Sequence, residues 1–169
     1  MWPPVQTRPT DMSIQTLAQD LGLSISTVSR ALNGYSDVSP ATRERVARRA
    51  AELGHAKSMN LVGRYLEEGR YCPADPAGAV EWYRRSAQGG DFRGQFSYAA
   101  VLADAGRIDE AVDWLQQALA GGNLNFLRVA CAALLNATHP KIRELAQAYQ
   151  RRAAQLADER DGEQLADLA

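Results

Sequence analysis

The feature that most constrains the fold is a pair of short apolar patterns with helical spacing, separated by only a few residues. Ser13 precedes the first pattern as a candidate N-cap, and Gly22 follows it where a left-handed residue can end a helix. Ser24 is a second N-cap candidate, and the second pattern runs over residues 25–32. Two short helices joined by a glycine-containing turn predict a helix-turn-helix. The first pattern places four apolar residues on one face: Ile14, Leu17, Ala18 and Leu21.

The predicted outer face of the second helix is polar, with small residues and one arginine. An ordinary helical hairpin is the alternative interpretation of the two patterns. A helix that enters the major groove of DNA must present hydrogen-bond donors with little bulk, which favours a DNA-binding motif. The outward residues are Ser26, Thr27, Ser29 and Arg30.

A third helix is predicted after the turn-rich segment 33–37. Ser39 supplies an N-cap and Pro40 a proline in the first turn, and Gly54 marks the end. Four arginines cluster on this helix, and such a cluster is more often a solvated helix face than a phosphate site. They are Arg43, Arg45, Arg48 and Arg49.

The three predicted helices carry the motifs of a known family. Residues 27–33 have the sequence TVSRALN, and residues 38–46 follow the pattern V-S-x-x-T-R-x-R-V. The segment from Ser13 to His55 therefore resembles the DNA-binding headpiece of the lactose-repressor (LacI/GalR) family. The resemblance implies that the segment binds double-stranded DNA. It also implies that two copies act together on a palindromic operator.

The resemblance implies roles for individual residues. Ile25 and Ser26 occupy positions that select bases, and Arg30 corresponds to the arginine that contacts guanine. Other positions hold phosphates or set the register of the protein on DNA. They are Ser24, Thr27, Ser29, Asn33, Thr42 and His55, the last in place of the usual phenolic side chain.

The family pattern stops after His55. Family members continue with a hinge helix that contains a proline and inserts a leucine into the minor groove. Residues 55–60, HAKSMN, lack that proline, so no wedge between base pairs is predicted. The rest of the chain is too short for the sugar-binding domain of the family. We therefore do not expect this chain to bind a sugar effector as those repressors do.

The segment after residue 57 repeats internally. Gly89-Gly-Asp91 recurs as Gly121-Gly-Asn123 at an offset of 32 residues, and AVEW at residues 79–82 recurs as AVDW at the same offset. A period in the thirties predicts stacked helix pairs that form an α-solenoid. The motifs are similar to Sel-one-like repeats, which are relatives of tetratricopeptide repeats. A degenerate third unit is predicted over residues 124–156.

Four aromatic residues of the repeats are interpreted as packing between helices. The alternative is a peptide groove on the concave face of the solenoid. They are Trp82, Tyr83, Tyr98 and Trp114.

Composition narrows the function classes. The chain is 46% hydrophobic and 23% charged, which is typical of a soluble globular protein. Residues 1–4, MWPP, resemble neither a signal peptide nor a transit peptide, so a cytoplasmic location is expected. Its longest apolar run, residues 129–135, is too short to span a bilayer, so no membrane partner is expected. The net charge is -1, but residues 1–57 hold seven basic and five acidic residues. Two cysteines and two histidines lie too far apart in sequence for a metal motif, and no cofactor is predicted. An enzyme built on a Cys–His pair is the weaker hypothesis.

We therefore predict an all-α protein with a three-helix headpiece and a short α-solenoid of about three repeats. The predicted segments are a flexible arm (1–12), the headpiece (13–57), the repeat domain (58–156) and an acidic tail (157–169). The headpiece and the repeats are expected to share no core.

The predicted function is sequence-specific DNA binding by a transcriptional regulator. The repeats would supply protein interaction or dimerisation in place of effector sensing. The alternative is a non-enzymatic repeat scaffold that carries a vestigial helix-turn-helix. The abrupt junction after His55 favours this alternative.

Overall fold

The computed structural model describes residues 13–70 and 72–166, with side chains only through Asp161. The predicted arm, residues 1–12, lies outside the described residues. The described residues form nine helices and contain no strand, which confirms the all-α prediction. The helices are α1 (Ile14–Leu21), α2 (Ile25–Leu32), α3 (Pro40–Glu52), α4 (Ala56–Glu68), α5 (Pro76–Gln88), α6 (Phe92–Asp104), α7 (Ile108–Gly121), α8 (Leu124–Leu135) and α9 (Pro140–Ala166).

The first three helices begin where the sequence places serine N-caps. In each case the serine hydroxyl accepts a hydrogen bond from the backbone N–H three residues later, at 3.0 to 3.2 Å. Such a cap satisfies one of the N–H groups that a helix start leaves unpaired. Gly22 ends α1 in the left-handed conformation, with φ of 63°. The capping serines are Ser13, Ser24 and Ser39.

The chain divides into two compact units between Gly89 and Gly90. In the first unit, α1, α2 and α3 enclose an aliphatic core. Leu17, Val28 and Val46 have no exposed surface at all. Complete burial of such a side chain contributes about 1.5–3 kcal/mol relative to an exposed one. This core holds the outer face of α2 in place.

A second face of α3 packs on α4. Ala47 and Ala51 are fully buried there against Met59 and Val62. The expectation that the headpiece and the repeats share no core is therefore wrong at this junction. Two pairs of buried residues, each spaced by four, give α3 two inward faces instead of one: Val46 with Ala50, and Ala47 with Ala51. The domain boundary at residue 57 stays a prediction.

The helices α4 and α5 approach closely at a glycine. A Cβ atom on Gly63 would lie 2.6 Å from Cε1 of Tyr83, so only glycine fits against this ring. Tyr83 is buried, and its hydroxyl donates a 2.7 Å hydrogen bond to Oε2 of Glu67. Burial raises the pKa of Tyr83, and the Glu67 carboxylate raises it further. The ring is thus a packing residue of the first unit.

In the second unit, α6 packs with α7 and α8 packs with α9, as the repeat pattern predicts. The recurring Asp91 and Asn123 cap α6 and α8 through their side-chain oxygens, at 2.8 and 2.9 Å from the backbone N–H that each accepts. Tyr98 and Trp114 meet edge to face, with ring centroids 5.8 Å apart. The packing interpretation of these two rings is therefore supported.

The third repeat unit ends in a long helix. α9 begins at Pro140 and continues through Ala166. It therefore includes residues 157–166 of the segment that the sequence predicts as an acidic, fraying tail. None of the helices within residues 13–70 and 72–166 has the length and apolarity needed to cross a membrane.

Candidate nucleic-acid interface

The second helix presents the predicted base-contacting residues on its outer face. Val28 and Ala31 are buried and attach α2 to the core of the three-helix segment. Ile25 keeps 51% of its surface exposed, and Ser26 and Arg30 are also exposed. A large apolar side chain at the start of α2 thus lies outside the core. The three candidates lie on one short helix with a fixed orientation.

The predicted phosphate contacts lie mainly at the starts of α2 and α3. Ser24 Oγ and Thr27 Oγ1 share a hydrogen bond of 2.8 Å, and Ser39 Oγ donates to Thr42 Oγ1 at 2.8 Å. Neither helix has an acidic residue in its first turn. The partial positive charge of each helix start is therefore not offset by a carboxylate of its own first turn.

The remaining three candidates lie elsewhere or have local roles. Ser29 is half-buried, and its carbonyl accepts a 2.9 Å hydrogen bond from Nδ2 of Asn33, which stabilises the end of α2. His55 precedes α4, and its Nδ1 lies 2.6 Å from Oγ of the buried Ser58. The structure thus places His55 at the junction with the repeats. In place of a separate hinge, α4 runs unbroken over 13 residues.

Two arginines of the α3 cluster, Arg45 and Arg49, connect α3 to α1. Arg45 donates a 2.6 Å hydrogen bond to the carbonyl of Leu21 at the end of α1. Arg49 pairs with Asp20 of α1 at 2.8 Å, and hydrogen bonds to Asp20 and Glu52 raise the pKa of this arginine. These contacts favour the structural interpretation of the cluster over the phosphate interpretation.

Arg30 has partners that the sequence analysis missed. Its Nε donates to Oδ1 of Asp37 at 3.2 Å, and its Nη2 forms an ion pair with Oδ2 of the same carboxylate. The Arg30 Cζ lies 5.1 Å from the centroid of the Tyr35 ring. The sequence identified the segment 33–37 only as a turn. Helical spacing predicts neighbours at three and four residues, whereas this pair spans seven residues across a turn.

The geometry of the three-helix segment agrees with its similarity to known proteins. Residues 13–58 match the family model of the bacterial regulatory proteins, lacI family. The resemblance inferred for Ser13 to His55 is confirmed. The match includes α1, α2, α3 and the first residues of α4.

Two curated relatives share this segment. The HTH-type transcriptional regulator RafR of Escherichia coli is 46% identical over 59 residues, which is 35% of this chain and 17% of the relative. The HTH-type transcriptional regulator AglR of Rhizobium meliloti (strain 1021) is 50% identical over 44 residues, which is 26% of this chain and 12% of the relative. The chain thus spans less than a fifth of the length of either regulator.

Solved structures match the fold of the repeats. A Sel1 repeat protein from Oxalobacter formigenes superposes with a TM-score of 0.52 and 21% identity, over 84% of this chain and 55% of that protein. A protective antigen of uropathogenic Escherichia coli strains, which displays an SLR fold, superposes with a TM-score of 0.59 and 22% identity, over 83% of this chain and 32% of that protein. The predicted combination of a LacI-type helix-turn-helix with Sel1-type helical repeats is confirmed. The family and the curated relatives that match the first segment are regulators, and the solved structures that match are repeat proteins.

Proposed function

We propose that this chain is a sequence-specific DNA-binding transcriptional regulator that inserts α2 into the major groove. The family match over residues 13–58 carries the proposal. The exposed polar face of α2 on a fully packed aliphatic core supports it, because a recognition helix must keep its orientation when its outer face binds. We assign no catalytic role to the chain.

Three residues of α2 would select bases. The fork of N–H groups on Arg30 fits O6 and N7 of a guanine, a contact that contributes about 1–3 kcal/mol of discrimination. The exposed apolar side chain of Ile25 suits the methyl group of a thymine. Ser26 is exposed one turn before Arg30 and can donate or accept a hydrogen bond at the neighbouring base edge.

The phosphate contacts would fix the register of the protein on DNA. A hydroxyl that accepts one hydrogen bond can still donate its own proton, so Thr42, which accepts from Ser39, can donate to a phosphate oxygen. The backbone N–H groups at the starts of α2 and α3 attract the same anions. The proposed positioning residues are Ser24, Thr27, Ser29, Asn33, Thr42 and His55.

Two copies of the chain would act together on a palindromic operator. One three-helix segment makes few phosphate contacts and one set of base contacts, which gives weak binding by itself. The repeats would supply the contact between copies or bind a protein partner that does so. In support, α8 exposes 73% of Val129 and 61% of Leu135, although both are large apolar residues.

The test is a binding selection with a pool of randomised DNA duplexes at near-physiological salt. We expect the purified chain to enrich a palindrome, and Arg30→Ala to lose the preference for guanine at one base pair of each half-site. Arg64→Ala is the matched control, because Arg64 is an exposed arginine that pairs with Glu68 on α4, outside the three-helix segment.

Recovery of no motif by the unmodified chain would contradict the proposed function. It would favour the alternative in which the repeats carry the activity. An Arg30→Ala variant that loses affinity equally for all sequences would remove Arg30 from the set of base-contacting residues.

A further inference from the structure

Asp37 and Arg30 meet in a side-on geometry that leaves part of the guanidinium group unused. A guanidinium group carries five N–H donors in one plane. The Asp37 carboxylate takes the edge formed by Nε and Nη2, with Nε at 3.2 Å from Oδ1 and Nη2 on Oδ2. A bidentate pair of this kind fixes the plane and the direction of the guanidinium group.

The edge of the guanidinium group that Asp37 leaves open can still bind a guanine. The two N–H groups of Nη1 and the second N–H of Nη2 point away from the carboxylate. Together Nη1 and Nη2 form a parallel fork that can bind O6 and N7 of guanine. The carboxylate and the base therefore use different edges of the same side chain and do not compete.

Tyr35 restricts the guanidinium group from a second direction. Its ring lies below Cζ of Arg30 at 5.1 Å, within the range of a cation–π contact. A free arginine side chain has many rotamers, and binding DNA in one of them loses most of that rotamer entropy. An arginine already held by a carboxylate and a ring loses less on binding.

The pair contributes little to the stability of the fold. The side chains of Arg30 and Asp37 keep 46% and 55% of their surfaces exposed. Exposed ion pairs contribute little to the free energy of unfolding, because water solvates both charges well. The carboxylate also stands beside the proposed DNA-binding face, where it repels phosphates of a sequence that offers Arg30 no guanine.

We propose that Asp37 is a positioning residue for Arg30, which holds the guanidinium fork toward guanine and raises the discrimination at that base pair. The inference rests on the proposed DNA-binding function and adds a residue that the sequence analysis did not include.

The test compares Asp37→Asn with the unmodified chain on two duplexes. One duplex is the selected operator. The other is the same operator with a different base in place of the guanine whose preference is lost in Arg30→Ala. The discrimination ratio is the dissociation constant for the duplex without the guanine divided by that for the operator. We expect this ratio to be about threefold to tenfold lower in Asp37→Asn than in the unmodified chain. We also expect binding to random duplex to stay equal or to tighten, since one repulsive charge is lost.

Glu52→Gln is the matched control. Glu52 is also an exposed carboxylate that pairs with an arginine, Arg49, but on α3. Glu52→Gln removes one negative charge from the same unit but does not touch the pair of Arg30 and Asp37. Its ratio of dissociation constants should therefore equal that of the unmodified chain. In an Arg30→Ala background, Asp37→Asn should leave the ratio unchanged, because its effect acts through Arg30.

Two results would overturn the inference while the proposed function stands. One is an unchanged ratio in Asp37→Asn. The other is an equal loss of affinity for every duplex together with a lower melting temperature, which would mark a structural role. An unmodified chain with no sequence preference would instead overturn the proposed function, and the inference with it.

Discussion

The three-helix segment and the repeat helices bury different kinds of side chain. The core of α1, α2 and α3 is wholly aliphatic, with Leu17, Val28 and Val46 at its centre. The largest fully buried side chains of the repeats are tyrosines, Tyr83 and Tyr149. The eight-residue helices α1 and α2 are each about 12 Å long and enclose a small volume. The helices of the repeats are longer, and large rings fill the layers between them.

The two regions also treat polar groups differently. In the repeats, hydroxyl groups of large side chains bind within the fold, as when Tyr149 donates to the carbonyl of Leu115 at 2.7 Å. On α2 and the loop after it, the polar side chains of Ser26, Arg30 and Asp37 remain exposed. The comparison teaches that the two buried tyrosine hydroxyls of the repeats are paired within the fold, whereas the polar side chains of α2 and the following loop lie where solvent reaches them.

The largest effect is expected at Tyr149, which has no exposed surface. Tyr149→Ala should lower the free energy of unfolding by about 3–5 kcal/mol, because it opens a cavity of ring size in the second unit. Chemical denaturation followed by circular dichroism measures the change. Tyr149→Phe is the control and should cost about 1 kcal/mol, since it removes only the hydrogen bond to Leu115. Equal losses in the two variants would show that the ring does not fill the core.

A smaller effect on stability is expected at Gly63, which contacts the ring of Tyr83. Gly63→Ala places a methyl group 2.6 Å from the Tyr83 ring and should cost about 1–3 kcal/mol through overpacking. Thermal unfolding measures the loss. In a Tyr83→Leu background the penalty should shrink, because the smaller side chain can move away.

Gly121→Ala is the matched control for this substitution. The nearest atom to its new methyl group is Cβ of Phe92 at 3.7 Å, an ordinary contact distance. The free energy of unfolding of Gly121→Ala should rise by less than about 1 kcal/mol. If Gly63→Ala is as stable as Gly121→Ala, the close approach of α4 and α5 is not the reason for glycine at position 63.

The smallest effect on stability is expected from two cap variants that should differ in DNA binding. Ser24 and Asn123 cap α2 and α8 in the same way, with oxygens 3.0 and 2.9 Å from the N–H that each accepts. Each alanine variant should lose about 1 kcal/mol of stability. Only Ser24→Ala should weaken DNA binding, which a fluorescence anisotropy titration measures. Equal affinities of the two variants for the operator would remove Ser24 from the proposed interface.

Local patterns predicted much of the fold. Ser13, Ser24 and Ser39 cap their helices as expected, and Gly22 takes the left-handed conformation. These features depend on residues three or four positions apart, so the sequence displays them directly. The recurrence of Asp91 as Asn123 predicted a repeat, and in the structure these two residues cap α6 and α8. The candidate residues on α2 were predicted from motifs, and their roles on DNA stay predictions.

The sequence by itself therefore determined the helices, their caps, the repeat period and the family of the first segment. Only the tertiary structure decided what the buried faces of those helices pack against. It placed Ala47 and Ala51 of α3 against α4, Gly63 against the ring of Tyr83, and Asp37 beside Arg30. The physical reason is the separation along the chain of the residues that interact. A cap or an apolar stripe is set by neighbours within one turn, whereas a packing contact depends on how the chain returns to itself over many residues.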